Sequence, residues 1–120
     1  MRLNNDCIRD ILLYLEENIT YDIDCIEFDK LSDSLSLYSP DTLKYHINQL
    51  YNADLIQEPY YSYDGPEILT DLTWKGHQFV NDIRDDKVWK SIKEKCNSIK
   101  SVSMPFLVSI APTVLEKLIK

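Results

Sequence analysis

Between Pro40 and Ala53 the chain carries Lys44, Tyr45, His46, Asn48 and Gln49, residue types that reach phosphate oxygens and base edges when one helix presents them to a DNA groove. The same stretch holds one lysine and no arginine, and the segment after it carries Glu58, Asp64 and Glu67 with no basic residue. Phosphate neutralisation supplies much of the affinity for DNA, so this acidity counts against a groove-binding role. A second basic set, Lys87, Lys90, Lys93, Lys95 and Lys100, could track phosphates or pair with an acidic surface, although a solvated face is the ordinary fate of such a run. Tyr60, Tyr61 and Tyr63 form an aromatic group beside Asp64, of the kind that serves protein interfaces because tyrosine offers rigid apolar area with a polar tip. His77, Asp82, Asp85, Asp86 and Lys87 include metal-ligating types. However, a spacing of five turns His77 and Asp82 apart on a helix, and the paired aspartates fit a helix cap better than a shared ligand position.

Composition narrows the classes further. A length of 120 residues suits one domain with one core, and two glycines leave no Gly-rich nucleotide loop. Cys7, Cys25 and Cys96 are widely spaced and form no CxxC pair, so reduced thiols are expected, with no metal and no cofactor. No apolar run approaches a membrane span, and the expected setting is soluble and cytoplasmic. The net charge of −7 is unevenly spread: through residue 83 there are sixteen acidic and five basic side chains, and beyond it eight basic and four acidic.

The elements follow from periodicity and caps. Asn4 or Asn5 opens a helix with Ile8, Ile11, Leu12 and Leu15 inward and Arg9, Asp10, Glu16 and Glu17 on a solvated face. Cys25 to Phe28 reads as a short strand, and Lys30 to Leu37 as a weak helix with Leu31, Leu35 and Leu37 inward. Ser39-Pro40-Asp41 caps a third helix running to about Ala53, with Leu43, Ile47 and Leu50 in the core and its polar residues outside. Leu55 to Glu58, prolonged by Tyr60 to Tyr63, should pair across an Asp64-Gly65-Pro66 turn with Glu67 to Leu72. Thr73 caps a helix placing Trp74, Phe79, Val80 and Ile83 on one face, and Asp85 or Asp86 opens another with Val88, Trp89, Ile92, Cys96 and Ile99. A last segment from Ser103 or Met104 keeps helical spacing through Leu107, Val108, Ala111, Val114, Leu115 and Leu118, and Pro112 is expected to kink or split it. This stripe is either core or the seam of a homodimer.

The predicted class is therefore α+β and mainly helical: one domain over 1–120, a winged helix-turn-helix over 5–72, and two or three additional C-terminal helices over 73–120. Three segments carry a family resemblance: Asn5 to Leu13 with Glu16-Glu17-Asn18, Tyr45-His46-Ile47 with Ala53-Asp54-Leu55-Ile56, and Leu72-Thr73-Trp74-Lys75-Gly76-His77-Gln78-Phe79 with Ile83 to Trp89. Together they resemble domain-of-unknown-function family 2513, small phage- and prophage-associated bacterial proteins similar to YjcQ-like winged-helix proteins. The resemblance implies a winged-helix fold and brings no catalytic residue with it. It also implies glycine where Asp54 stands, and hence a blunter stop to the third helix here. The whole reading favours regulatory DNA binding, with an acidic protein-binding adaptor as the alternative. The fold analogy favours regulatory DNA binding through Lys44, Tyr45, His46, Asn48 and Gln49, with Lys90 on phosphate; the composition favours an acidic adaptor or inhibitor that binds a protein through Tyr60, Tyr61 and Tyr63. Neither is an enzyme.

Overall fold

Every described helix except the second starts where a short polar side chain satisfies its free amides. The computed structural model, which describes residues 1–97 and 103–119, opens with α1 (Asn5–Asn18), capped by Asn4 rather than Asn5 through a 3.2 Å bond from the Cys7 amide to Asn4 Oδ1. Its stripe of Ile8, Ile11, Leu12 and Leu15 is buried as the spacing predicts. Its polar face is not a simple solvated surface. Asp10 accepts the Tyr38 hydroxyl at 2.7 Å, Glu16 pairs with Arg84, and Arg9 is drawn onto the C-terminal helices.

The strand expected over Cys25–Phe28 is only β1 (Ile26–Glu27), because Phe28 turns directly into α2 (Phe28–Ser34) and buries its ring. Since α2 stops at Ser34, Leu35 still packs on the core but Leu37 is 85% exposed rather than inward. Helix α3 (Pro40–Asn52) has the predicted Ser39 cap, which accepts from the Thr42 amide, and it buries Leu43, Ile47 and Leu50. Its stop is sharp. The Leu55 amide donates to the Leu50 carbonyl and the Asp54 amide to the Tyr51 carbonyl, both at 3.0 Å, and Asp54 takes the left-handed conformation with φ 63° that this closure requires. The blunter end implied by the missing glycine does not occur.

The hairpin is shorter and shifted from its prediction. It consists of β2 (Tyr60–Ser62) and β3 (Gly65–Leu69), and the chain reverses at Tyr63 and Asp64, so Gly65 with φ 117° and Pro66 belong to the returning strand. Leu55 to Glu58 forms no strand, only a bridge between Ile56 and Leu72. The sheet is antiparallel in the order β1-β3-β2, with Ile26 opposite Leu69 and Glu27 opposite Ile68 on one side and a bulge between Tyr60 and Tyr61 on the other.

Three helices complete the described chain: α4 (Trp74–Ile83), α5 (Asp86–Asn97) and α6 (Met104–Ile119). Thr73 caps α4, and Asp85 caps α5 by accepting from the Lys87 and Val88 amides. Phe79, Val80 and Ile83 are buried, but Trp74 is 78% exposed, since on the helix it lies roughly opposite the buried Gly76 and Ile83. Val88, Trp89, Ile92 and Cys96 are buried, and Ile99 lies outside the described residues. Helix α6 is continuous through Pro112 and is not split there; it lays Met104, Leu107, Ala111 and Val114 inward against α4 and α5. One apolar cluster joins all six helices to the sheet. The protein is thus a mainly helical α+β chain with a small three-stranded sheet.

Candidate binding face on helix α3 and the hairpin

The polar residues of α3 fall into three rows. Lys44, Asn48 and Tyr51, at i, i+4 and i+7, turn toward the hairpin. Lys44 Nζ donates to the Asp64 carbonyl at 3.1 Å and lies 5.4 Å from the centre of the Phe28 ring. Asn48 Oδ1 accepts the Tyr61 hydroxyl at 2.8 Å, and the Tyr51 hydroxyl donates to Glu58 at 3.1 Å. Burial, with help from Glu58, raises the pKa of Tyr61, so its hydroxyl remains a donor. The row therefore ties helix to hairpin.

His46 makes a second row by itself and is the clearest correction to the sequence reading. It is 1% exposed and faces α1, so it cannot point into a groove. Its Nδ1–H donates to the Thr42 carbonyl and its Nε2 accepts the Asn4 amide, both at 2.8 Å, which fixes the neutral tautomer. Burial lowers its pKa and the Thr42 carbonyl only partly opposes that. Tyr45 packs edge-on against this imidazole with ring centres 5.1 Å apart. The third row, Asp41, Tyr45, Gln49 and Asn52, points away from the core, with Asp41 and Asn52 exposed and Tyr45 and Gln49 half-buried, and it carries no positive charge.

On the hairpin Tyr60, Tyr61 and Tyr63 are exposed, as is the edge formed by β2. Between the hairpin, the start of α2 and Lys44 runs a groove of about 350 Å³ with Phe28, Pro66 and Ile68 as its apolar floor. Glu27, Asp29, Asp64 and Glu67 rim it, all exposed and none in an ion pair among the described residues. Sequence reading found Asp64 and Glu67 but missed Glu27 and Asp29. No local signal marks them, because it is the pairing of β1 with β3 that brings residues nearly forty positions apart to one rim.

Hydrogen bonds and ion pairs tie α1 to the C-terminal half. Arg9 Nε and Nη2 donate to the Ile83 and Arg84 carbonyls at 3.0 and 2.7 Å, Nη2 also reaches Asp86 at 2.8 Å, and the guanidinium lies 5.7 Å from the centre of the Trp89 ring. Lys93 pairs with Asp6 at 3.1 Å. Burial would raise the Asp6 pKa, but the Trp89 indole N–H and Lys93 outweigh it and lower it. Lys87 and Lys90 remain exposed on α5, and Lys100 lies outside the described residues. The residues weighed as a metal set are dispersed: His77 faces Asp71 at 3.7 Å, Asp85 caps α5, Asp86 pairs with Arg9, and Asp82 lines the α4–α6 groove. Among the described residues no three His, Cys, Asp or Glu side chains come together around a metal position.

Behind the face, the end of α3 is clasped to the start of α4. Thr73 donates through its hydroxyl to the Asp54 carbonyl at 2.6 Å and through its amide to the Leu55 carbonyl at 3.1 Å, while Gly76 lies so close that a Cβ there would sit 1.9 Å from the Leu55 oxygen. These are the Thr and Gly of the segment Leu72-Thr73-Trp74-Lys75-Gly76, which its chemistry alone would not explain. The family described as Hypothetical protein (DUF2513) matches residues 2–103. The chain belongs to this family. A relative from Haemophilus influenzae, described as an uncharacterized protein, is 31% identical over 122 residues and covers 99% of each chain. No solved structure matches the chain. The DUF2513 match contains α1 to α5 and the clasp, and α6 begins one residue beyond it. No helix among the described residues is long and apolar enough to cross a membrane.

Proposed function

We propose that the chain is a winged helix-turn-helix binding module without enzymatic activity, which docks a protein partner on the tyrosine-bearing hairpin and the adjoining face of α3. The element order α1, β1, α2, α3, β2, β3 and the sheet order β1-β3-β2 support the winged-helix assignment, with β2–β3 as the wing. The observation that carries the partner reading is the engagement of Lys44: the only cation of α3 is bound to the wing, leaving an outward row of Asp41, Tyr45, Gln49 and Asn52 beside exposed Tyr60, Tyr61 and Tyr63. Such a surface has area and hydrogen-bonding tips for a protein, and little to neutralise phosphate.

Duplex DNA is the second reading, of the phage or prophage regulatory kind suggested by the resemblance. It is favoured by the winged-helix order and by the exposed Lys87 and Lys90, which could hold phosphate while Tyr45, Asn48 and Gln49 approach the groove. One pair of measurements separates the two. A mixed pool of duplexes is incubated with the protein at about 50 mM salt, where phosphate contacts are strong, and the tagged protein is used to retain partners from a bacterial lysate. The partner reading expects no shift of the duplexes and a retained protein that is lost with Tyr61→Ala or Tyr63→Ala. A duplex shift that weakens with Lys90→Ala would reverse the assignment.

A further inference from the structure

We infer that the groove beneath the wing takes an arginine-bearing extended segment of the partner; this rests on the protein-docking reading and names the chemistry of its occupant. The groove is apolar at its floor and anionic at its rim. Phe28 and Pro66 are buried at its base, and Glu27, Asp29, Asp64 and Glu67 stand around it without ion-pair partners among the described residues. Charge complementarity selects a cation, and the apolar floor selects one on a long aliphatic stem. Arginine meets both demands, because its methylenes cover apolar surface while its planar guanidinium bridges carboxylates.

Lys44 shows how a cation sits in this place. Its ammonium lies over the Phe28 ring with the Asp64 carbonyl as acceptor, and it is the groove's one positive charge against four carboxylates. An incoming guanidinium meets repulsion from Lys44 and attraction from the rim. Removing Lys44 should therefore strengthen binding of a basic segment. A DNA-binding α3 requires the reverse, since there Lys44 would contact phosphate.

The test uses the full chain and a short fluorescein-labelled peptide alternating arginine and serine, read by anisotropy, with the citrulline version of the same peptide as control. Each exposed ion pair contributes up to about fivefold in affinity. The arginine peptide should bind, the citrulline peptide should not, Asp29→Asn combined with Glu67→Gln should weaken binding by about tenfold, and Lys44→Met should tighten it severalfold. Circular dichroism verifies that each variant is folded. Absence of binding to the arginine peptide, indifference to the Asp29 and Glu67 changes, or weakening by Lys44→Met would each overturn the inference. If the peptide fails while a lysate partner is still lost with Tyr61→Ala, the docking reading stands and the arginine occupant falls. Light scattering in the same buffers covers the case of a second copy in the groove: self-association abolished by the Asp29 and Glu67 changes would identify another molecule of this chain as the occupant and overturn the separate partner.

Discussion

At the scale of single residues, the two positions that most constrain the backbone predict opposite outcomes for small substitutions. Gly76 lies on a buried helix face with the Leu55 carbonyl 1.9 Å from where a Cβ would be, and that carbonyl is fixed by the Thr73 amide. Gly76→Ala gains about 1 kcal/mol of helix propensity but must push α4 off the end of α3. The net expected loss is about 2–3 kcal/mol in urea unfolding; an unchanged or higher midpoint would contradict the clasp. Asp54 is the converse case. It holds φ 63° at a helix stop, where glycine pays no steric penalty, so Asp54→Gly should stabilise by about 0.5–1 kcal/mol and Asp54→Ala should destabilise. Sequence showed Thr73 as a cap and Gly76 as part of a distinctive segment. It did not show why Gly76 must be glycine, because the atom that excludes a side chain belongs to a residue twenty-one positions earlier.

At the scale of elements, the helices were legible because caps and apolar stripes are local, whereas the face they present was not. Ser39, Thr73 and Asp85 were readable as caps, and the buried residues of α1 and α3 fall at the spacing expected of amphipathic helices. The position of His46 depended on α1, whose N-terminal amide it accepts across forty-two residues. That contact predicts a pH dependence. A buried neutral imidazole whose folded pKa lies below the unfolded value of about 6.5 contributes its full stability above that pH and loses it as pH falls toward the folded pKa. The slope is up to about 1.4 kcal/mol per pH unit. His46→Gln keeps a donor and an acceptor at the site but does not titrate. Between pH 7.5 and 5.5 the wild-type protein should therefore lose more stability than the variant, and parallel losses in urea titrations would remove His46 as the cause.

For the whole molecule, the open question in the sequence was whether the stripe on the last helix faces inward or joins two copies. Periodicity cannot decide this, because a core helix and a dimer seam write the same spacing. In the structure most of the stripe faces inward: Met104, Leu107, Ala111 and Val114 are buried against α4 and α5, Val108 and Leu115 pack partly on the same cluster, and Leu118 near the end is exposed. The inward part belongs to the same apolar cluster as α1 and the sheet, so it acts on stability in a single chain. Leu107→Ala should cost about 2–5 kcal/mol with an unfolding midpoint independent of protein concentration, while Leu118→Ala should stay within about 0.5 kcal/mol. A dimer seam makes different demands. It would render the midpoint concentration-dependent, and Leu118→Asp would then lower the mass seen by light scattering without unfolding the chain. Because α6 begins just past the residues matched by the family and still closes the core over α4 and α5, cutting the chain before Ser103 should expose Phe79, Val80 and Ile92 together. The truncated chain is expected to unfold or aggregate rather than to persist as a smaller domain, and a soluble, cooperatively folding fragment 1–102 would show that the core closes without α6.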